Sequence, residues 1–255
     1  MLKHLYLGEN FIIPSYNLFV SIGIASAMLF LQYNKGFKQK KENEKFKIHF
    51  CLLISIICGF IGAFVFDAFS KDIALTFDNL HKIGLTFFGG FISALFILII
   101  SIKLFSFNVL ATLNILTRPF CIAHFFGRIG CFMAGCCYGN PTNSIFGVVF
   151  PVGSLPYNQY HQLIKLHPTQ LYESFFILIL FLYFSVTKSK NHFYIYILTY
   201  SVFRFLIEFI RADDRGIVFN QRIFSPSQLI SILVIIVVTL IFLSKRFLLI
   251  KQVKV

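Results

Sequence analysis

The chain has 255 residues, of which 57% are hydrophobic and 13% are charged, and its formal net charge is +13. A soluble domain has about a quarter of its residues charged, so this composition excludes an ordinary soluble protein and indicates an integral membrane protein. Most basic residues lie in short segments between apolar blocks, where they set topology and attract the anionic headgroups of a lipid bilayer. They are not interleaved with stacking aromatics outside those blocks, which argues against a nucleic-acid partner.

Seven apolar blocks approach the ~20 residues that a bilayer-spanning helix requires. The predicted spans are 12–33, 48–69, 83–106, 112–137, 169–187, 193–210 and 225–244. We therefore predict an all-α integral membrane protein of about seven transmembrane helices, with a single domain over residues 1–255. The N-terminal segment has no small-residue cleavage site after a short apolar region, so the first helix is expected to be retained.

Two features of the chain between and within the spans lead to further predictions. Pro119 and several glycines fall inside the fourth predicted span, and they predict a kink or a break in that helix. Residues 138–167 are rich in Gly, Pro, Asn and Tyr, and we expect a polar loop with small interfacial elements.

The distribution of Lys and Arg predicts the orientation. One set of alternate loops holds about twice as many of these residues as the other, and the richer side is expected to be cytoplasmic. The N-terminus and the loop at 138–167 would then face outward, and the C-terminus would be cytoplasmic.

An arginine stands inside the fourth predicted span. Placing Arg128 at membrane depth costs at least about 2.5 kcal/mol on insertion scales, and an anionic ligand is one way to offset that cost. The planar guanidinium suits a phosphate, which it can bind through two hydrogen bonds. The sequence offers Arg128 no acidic partner on its own helix, whereas His124 stands four residues earlier and shares its helix face. We predict a phosphate-binding role for Arg128.

A second charged group lies in the sixth predicted span. Arg204 and Glu208 are four residues apart and can form an ion pair on one helix face, and Arg211 follows near the outer interface. The pair has two interpretations. It is either a structural ion pair that allows both charges to be buried, or a pair that also orients Arg204 toward a lipid phosphate. The lone arginine of the fourth span favours the second interpretation.

Polar side chains also open the fifth predicted span, at His-Pro-Thr-Gln-Leu-Tyr-Glu, residues 167–173. Pro168 fits the first turn of a helix, and Gln170 and Glu173 stand one turn apart. From the residues alone, this pattern is equally typical of an outward-facing polar site and of a structural hydrogen-bond network.

The six cysteines fall mostly inside apolar blocks, unlike the disulfide framework of a secreted protein. Cys136 and Cys137 are adjacent, and adjacent cysteines are poor partners for one metal ion and form strained disulfides. Only His124 and Cys131 are near enough in sequence to add ligands. The sequence therefore favours small packing residues here and predicts no metal site.

Several short motifs follow one another in a fixed order over most of the chain. They are Tyr16 in the first span, Gly89-Gly90 in the third, Gly-Arg128-x-Gly-x-Phe-x-x-Gly-x-x-Tyr-Gly139 in the fourth, His167-Pro-Thr-Gln170-Leu-Tyr172-Glu173, Arg204-Phe-x-x-Glu208-Phe-x-Arg211, and Gln228 at the start of the last span. In this order, on a chain of seven spans, they resemble the bacterial prolipoprotein diacylglyceryl transferases.

The resemblance implies an activity. Members of that family transfer a diacylglyceryl group from phosphatidylglycerol to the lipobox cysteine of a prolipoprotein signal peptide, in the bacterial cytoplasmic (inner) membrane. The product is a thioether, glycerol 1-phosphate leaves, and no metal or other cofactor is needed. Arg128 and Arg204 would hold the phosphate, and Glu208 would orient Arg204. The implied substrate-binding residues, with Tyr16 lining the lipid site, are Tyr16, Gly89, Gly90, Gly139, His167, Gln170, Tyr172, Glu173 and Arg211.

The sequence departs from the family pattern at three positions. Phe88 stands where the family commonly has a histidine that is a candidate base, and Cys131 and Cys136 replace an asparagine and an acidic residue. His124 could substitute as the catalytic base because it shares a helix with Arg128. These departures leave open a relative that uses the same lipid donor with another acceptor, and a lipid-binding protein without catalysis. An ion transporter is disfavoured, since no span carries a relay of unpaired acidic residues.

Overall fold

A computed structural model of the chain describes residues 4–6, 12–70, 73–83, 87–189, 191–212 and 224–253. Helices make up most of these residues. The α-helices are α1 (Ser15–Tyr33), α2 (Lys35–Lys38), α3 (Glu42–Ser70), α4 (Phe87–Leu104), α5 (Val109–Ala134), α6 (Leu155–Tyr160), α7 (Thr169–Val186), α8 (His192–Ile207) and α9 (Pro226–Val253). Short 3-10 helices cover Phe77–Lys82 and Glu208–Ile210. The strands are β1 (His4–Tyr6), β2 (Ile12–Pro14), β3 (Val148–Val149) and β4 (Lys165–Leu166), paired antiparallel as β1–β2 and β3–β4.

The helices confirm a mostly helical membrane protein. Among the described residues, five helical segments are long and apolar enough to cross a membrane, namely α1, most of α3, α5, α7, and α8 together with the 3-10 helix that follows it. Gly89–Leu104 of α4 and Pro226–Ile241 of α9 are shorter apolar segments. A helix therefore lies at each of the seven positions that the hydropathy pattern predicts, and the chain is a multi-pass membrane protein.

Helix α5 runs through Pro119 without a break, so of the two predicted alternatives the break is wrong and the kink stays a prediction. A proline has no N–H group, and inside a helix it leaves the carbonyl four residues earlier without its usual donor. Here that carbonyl belongs to Ile115, and the side-chain amide of Asn34 donates to it at 3.0 Å. The polar group that the proline frees is therefore satisfied, which removes one reason for the helix to end.

Helix α5 ends at Ala134, three residues before the predicted end of the span, because of a glycine C-cap. Gly135 adopts φ +73°, its N–H donates to Phe132 O at 3.1 Å, and the Cys136 N–H donates to Cys131 O at 3.2 Å. These two bonds form a Schellman motif, which satisfies the last carbonyls of a helix. Cys136 and Cys137 consequently lie in a turn beyond the helix.

The segment 138–167 forms small ordered elements, as its composition predicts. Strands β3 and β4 pair with Val148 opposite Leu166, and α6 starts at an N-cap serine, Ser154, whose hydroxyl accepts the Tyr157 N–H. Tyr138, Phe150 and Leu166 form a small buried core under these elements. The segment thus has an apolar core of its own.

The chain divides into two compact units, of which the first comprises Met1–Leu31 and Leu116–Val255. In this unit, buried apolar residues of α5, α7 and α8 form a common core, made of Cys121, Ile177, Leu180, Phe184 and Tyr196. Helix α9 opens with a capping box, in which the Gln228 N–H donates to Ser225 Oγ and the Ser225 N–H donates to Gln228 Oε1. This cap fixes the first turn of α9, which carries the buried Ser227.

The second unit, Gln32–Ile115, is built on a close contact between α3 and α4. Glycines lie on both sides of this contact. A Cβ atom on Gly89 would lie 2.4 Å from Phe66 Cβ and 2.7 Å from Gly62 O, and one on Gly90 would lie 3.1 Å from Gly59 O. Small residues at such positions let two helix backbones approach within a membrane. The structure therefore gives Gly89 and Gly90 a packing role, and their predicted substrate-binding role stays a prediction.

Replacing Gly89 by alanine is expected to lower stability by about 1–3 kcal/mol, because the added methyl group overpacks the contact between α3 and α4. Gly127 in α5 is the matched control, since a Cβ atom there meets nothing within 4 Å and alanine favours a helix by up to about 1 kcal/mol. Thermal unfolding of the purified variants in detergent should give a lower melting temperature for Gly89→Ala only. Equal melting temperatures for the two variants would contradict the packing role.

Candidate active site

Five charged side chains form an alternating row in the first unit, which we call the Arg–Glu ladder: Arg128, Glu173, Arg204, Glu208 and Arg211. Arg128 Nη2 lies 2.8 Å from Glu173 Oε1, and Arg204 Nη2 lies 2.9 Å from Glu208 Oε2. Longer contacts join these pairs, with 4.0 Å between Arg204 Nη1 and Glu173 Oε2 and 3.9 Å between Arg211 Nε and Glu208 Oε2. All five residues are buried. The ladder draws its members from α5, α7, α8 and the 3-10 helix after α8, with Arg211 directly after that 3-10 helix.

Glu173 is the acidic partner of Arg128, so the expectation that Arg128 lacks a partner is wrong. Sequence reasoning missed this pair because the two residues stand on different helices. The Glu173 carboxylate is fully buried and also accepts a hydrogen bond from the Tyr200 hydroxyl at 2.6 Å. The same hydroxyl accepts one from Arg128 Nη2 at 3.3 Å. A buried arginine in this geometry is fixed in position and stays charged.

The pair predicted within the sixth span is present. Arg204 bonds Glu208 from one helical turn earlier, and its Nη2 also donates to Ser227 Oγ on α9 at 3.0 Å. Arg211 lies next to Glu208 because two backbone hydrogen bonds fix the chain on either side of it. The Asn140 N–H donates to Ile210 O at 2.8 Å, and the Ala212 N–H donates to Tyr138 O at 3.1 Å.

The ladder has an open point between Glu173 and Arg204, and among the described residues the carboxylate oxygens of Glu208 also lack a hydrogen-bond partner. Among the described residues, Arg204 Nη1 and Glu173 Oε2 are buried without a hydrogen-bond partner, although they lie only 4.0 Å apart. Buried polar atoms are nearly always hydrogen-bonded, so such a gap calls for an explanation. Three guanidinium groups face two carboxylates, which leaves the ladder with one positive charge in excess. An anion that accepts from Arg204 would both balance this charge and satisfy the guanidinium.

His124 lies beside the ladder but is already engaged at both ring nitrogens. Arg128 Nε donates to His124 Nε2 at 3.4 Å, and His124 Nδ1 lies 2.7 Å from the Tyr196 hydroxyl. A guanidinium N–H can only donate, so Nε2 accepts and the proton of the neutral ring is on Nδ1. This arrangement supports a role in positioning Arg128. A role for His124 as catalytic base stays a prediction.

The turn after α5 brings three thiols together beside the ladder. The Sγ atoms of Cys131, Cys136 and Cys137 all lie within 4.8 Å of one another. Cys137 has its pKa lowered well below the usual range, because the thiols of Cys131 and Cys136 hydrogen-bond to its sulfur and the guanidinium groups of Arg211 and Arg128 act on it. Tyr16 of α1 is close enough to these thiols and to Arg128 to interact electrostatically with them.

The polar residues that open α7 resolve into a hydrogen-bond network around that turn. Gln170 Nε2 donates to Cys136 O, and the Thr169 hydroxyl donates to Cys137 O. His167 Nδ1 pairs with the Tyr172 hydroxyl at 3.1 Å, and His167 O accepts the Gly139 N–H at 2.8 Å. A Cβ atom on Gly139 would lie 2.6 Å from Ile210 O, so only glycine fits there. Roles of these residues in substrate binding stay predictions.

Sequence reasoning overlooked two tyrosines of the site, Tyr196 and Tyr200. A signal for them was available, because Tyr196, Tyr200, Arg204 and Glu208 recur at intervals of four residues and so line one face of α8. Gly89 and Gly90, which the resemblance also implies for substrate binding, belong to the second unit.

The fold and the ladder together define a class, namely a multi-pass helical membrane protein with a buried site of arginines paired with carboxylates. Comparison with known proteins identifies the family. Residues 4–244 match the family model described as prolipoprotein diacylglyceryl transferase, and the chain belongs to this family. It is therefore a transferase.

Similar proteins bear out this assignment over most of the chain. A phosphatidylglycerol–prolipoprotein diacylglyceryl transferase of Clostridium tetani is 33% identical over 245 residues, which cover 92% of this chain and 94% of the relative. A Clostridium perfringens protein of the same name, numbered 2, is 33% identical over 90% of this chain and 91% of its own length. One from Rickettsia bellii is 30% identical over 75% of this chain and 74% of its own length.

Replacing Glu173 by glutamine is expected to lower stability by about 3 kcal/mol or more, because it leaves Arg128 as a buried charge without its counter-ion. Glu42 provides the matched control. It pairs with Lys45 at a similar distance, 2.7 Å, but its side chain is 89% exposed, and exposed pairs contribute little. Thermal unfolding in detergent should show a clearly lower melting temperature for Glu173→Gln and an unchanged melting temperature for Glu42→Gln. The counter-ion role would be wrong if both variants melted with the wild type.

Proposed function

We propose that this protein transfers a diacylglyceryl group from phosphatidylglycerol to the lipobox cysteine of a prolipoprotein and forms a thioether. The observation that carries the proposal is the open point of the Arg–Glu ladder, where a buried guanidinium nitrogen of Arg204 has no hydrogen-bond partner among the described residues. The relatives in this family are named for phosphatidylglycerol and prolipoprotein. We therefore take the phosphate of phosphatidylglycerol as the anion that binds at this point.

The charge balance of the reaction explains why arginines are needed. The cysteine sulfur attacks the glyceryl carbon that carries the phosphate, a carbon–sulfur bond forms, and the bond from that carbon to the phosphate oxygen breaks. Glycerol 1-phosphate leaves, and the thiol proton is released. The phosphate begins as a diester with one negative charge and leaves as a monoester with two. Guanidinium groups fixed in a dry site stabilise charge that develops in the transition state.

Four of the ladder residues, together with Tyr16, have a role in this proposal. Arg128 and Arg204 hold the phosphate, because both are buried and both are fixed by ion pairs with carboxylates. Glu173 and Glu208 orient the two guanidinium groups and keep them from binding an anion so tightly that the product stays bound. Tyr16, half-exposed on α1 and next to the thiols, lines the lipid site.

The same proposal places the protein in the bacterial cytoplasmic (inner) membrane with seven spans. The N-terminus and the loop at 138–167 face outward, and the C-terminus is cytoplasmic. Supporting it are the excess of Lys and Arg in the loops assigned to the cytoplasm and the helices at the seven predicted positions. The outward loop would then meet the prolipoprotein on the side where the mature lipoprotein emerges.

Purified protein incubated with phosphatidylglycerol and a lipobox peptide should give a peptide heavier by one diacylglyceryl group and an equal amount of glycerol phosphate. Arg128→Gln and Arg204→Gln are each expected to slow the reaction by about 100-fold or more, because removal of one charge-stabilising donor has an effect of that size. Mass spectrometry of the peptide and an assay of released glycerol phosphate measure both products.

Arg118→Gln is the control for these variants. Arg118 stands on the same helix as Arg128, but its charge acts on His192 at the start of α8, so its loss should leave the rate within about twofold. Binding of phosphatidylglycerol without any product from a competent peptide would overturn the proposal and favour a lipid-binding protein. Equal rates for all three arginine variants would overturn the role of the ladder.

A further inference from the structure

Two helix faces of the first unit meet side chain against side chain. Phe120, His124 and Arg128 recur at intervals of four residues on α5, so they share one side of that helix. On α8, Tyr196 and Tyr200 are spaced in the same way. The Tyr196 hydroxyl bonds His124, and the Tyr200 hydroxyl bonds Arg128. The proposed chemistry depends on Arg128, whereas it gives Tyr196 no part.

Tyr196 is fixed by rings from both helices. Its ring is stacked on that of Tyr200, with 5.7 Å between the centroids and 3° between the planes, and it meets the ring of Phe120 edge-on at 5.5 Å. Tyr196 is buried, and aromatic pairs in these two arrangements attract each other. The contacts hold the Tyr196 hydroxyl in place, 2.7 Å from His124 Nδ1.

The hydrogen-bond chain determines where the proton of His124 lies. Arg128 Nε can only donate, so His124 Nε2, at 3.4 Å, must accept. The ring proton is then on Nδ1, which donates to the oxygen of Tyr196. The other tautomer would set an N–H of His124 against an N–H of Arg128. Tyr196 therefore supplies the acceptor that the arginine-bound tautomer needs, and without it a buried N–H would lose its partner.

The bond from Arg128 to His124 controls the orientation of the guanidinium. Glu173 and Tyr200 both bond Arg128 at one nitrogen, Nη2. Bonds at a single nitrogen let the group turn about that point. The bond from Nε to His124 holds a second nitrogen, and two held nitrogens fix the plane of the group. This plane matters, because a guanidinium binds phosphate through parallel N–H groups that lie in it.

We propose that Tyr196 and His124 are positioning residues that act through Arg128. This role rests on the proposed function. Tyr196 holds His124 with its proton on Nδ1, and His124 Nε2 holds Arg128 Nε, so that the plane of the guanidinium is set before the phosphate arrives. The effect is largest in the transition state, because charge grows on the phosphate as its bond to carbon breaks. Loss of either residue should therefore lower kcat more than it raises KM.

Steady-state kinetics of transfer from phosphatidylglycerol to a lipobox peptide test Tyr196. Tyr196→Phe removes only the hydroxyl, and it should lower kcat at least about tenfold, since small misplacements of a catalytic group have effects of this order. The KM for phosphatidylglycerol should stay within about twofold. Tyr183→Phe is the matched control, because Tyr183 of α7 is 45% exposed, and it should leave both constants unchanged. An unchanged kcat for Tyr196→Phe would overturn the role of Tyr196.

Glutamine at position 124 separates positioning from general-base catalysis. The amide oxygen of His124→Gln can accept from Arg128 Nε in place of the ring nitrogen, but an amide has no basic nitrogen to take up a proton. His124→Gln should therefore keep kcat within about threefold of the wild type, whereas His124→Ala should lower it at least about tenfold. A glutamine variant as slow as the alanine variant would overturn the positioning role and favour a catalytic base.

A double variant tests whether Tyr196 acts through His124. A chain that carries His124→Gln has no ring proton for the Tyr196 hydroxyl to accept. Adding Tyr196→Phe to it should therefore lower kcat by less than about twofold, because residues that act as a unit are not additive. Independent effects would multiply instead. A double variant that shows the full loss of Tyr196→Phe again would overturn the coupling of the two residues.

The tautomer can be measured on the wild-type protein without substrate. Solid-state ¹⁵N NMR of labelled histidine distinguishes the protonated from the unprotonated ring nitrogen, and comparison with His124→Gln identifies the His124 signals. We expect the proton on Nδ1 at neutral pH. A proton on Nε2, or on both nitrogens, would overturn the hydrogen-bond chain. A proton on Nδ1 in a wild-type protein that transfers no lipid would retain the chain and overturn the proposed function instead.

Discussion

A buried row of alternating charges is the interaction on which the site depends. Each charge in the Arg–Glu ladder is expensive to bury alone, and each has an oppositely charged neighbour, either on another helix or within one turn of its own segment. Arg128 on α5 needs Glu173 on α7, and Arg204 on α8 is bonded by Ser227 on α9. Within the first unit, the helices must therefore meet in one register, because a shift by one turn would leave a charge in an apolar environment.

The ladder also prepares the site for chemistry. Its excess positive charge and the Arg204 nitrogen without a hydrogen-bond partner among the described residues are present without substrate. Under the proposed function, the protein would therefore not need to reorganise as charge develops on the leaving phosphate. The start of α7 serves both the ladder and the turn after α5, since Glu173 pairs with Arg128 while Gln170 and Thr169 bond the carbonyls of Cys136 and Cys137.

Local patterns in the sequence predicted much of this arrangement. Hydropathy located the helices, and the four-residue spacing of Arg204 and Glu208 predicted their ion pair. Contacts that depend on the packing of distant segments could not be predicted from the sequence. Glu173 became the partner of Arg128 only through the meeting of α5 with α7, and α5 passes through Pro119 because Asn34 bonds the freed carbonyl of Ile115.

The cysteines are a second example of an arrangement that local sequence patterns did not predict. Cys136 and Cys137 were predicted to be small packing residues, and the structure in addition brings their Sγ atoms and that of Cys131 within 4.8 Å of one another. A resemblance predicts a substrate-binding role for Gly89 and Gly90, and the structure adds a packing role at the contact between α3 and α4.

The central claim is that the open point of the ladder binds the phosphate of the lipid donor. The most direct measurement is the dipolar coupling, by solid-state NMR, between the guanidinium ¹⁵N nuclei of the arginines and the lipid ³¹P nucleus in bilayers that contain phosphatidylglycerol. A hydrogen bond from guanidinium to phosphate would place nitrogen and phosphorus within about 4.5 Å. We predict a coupling at that distance that disappears in Arg204→Lys and in bilayers of phosphatidylcholine alone. A coupling that survives in Arg204→Lys, or none in the wild type, would contradict the account.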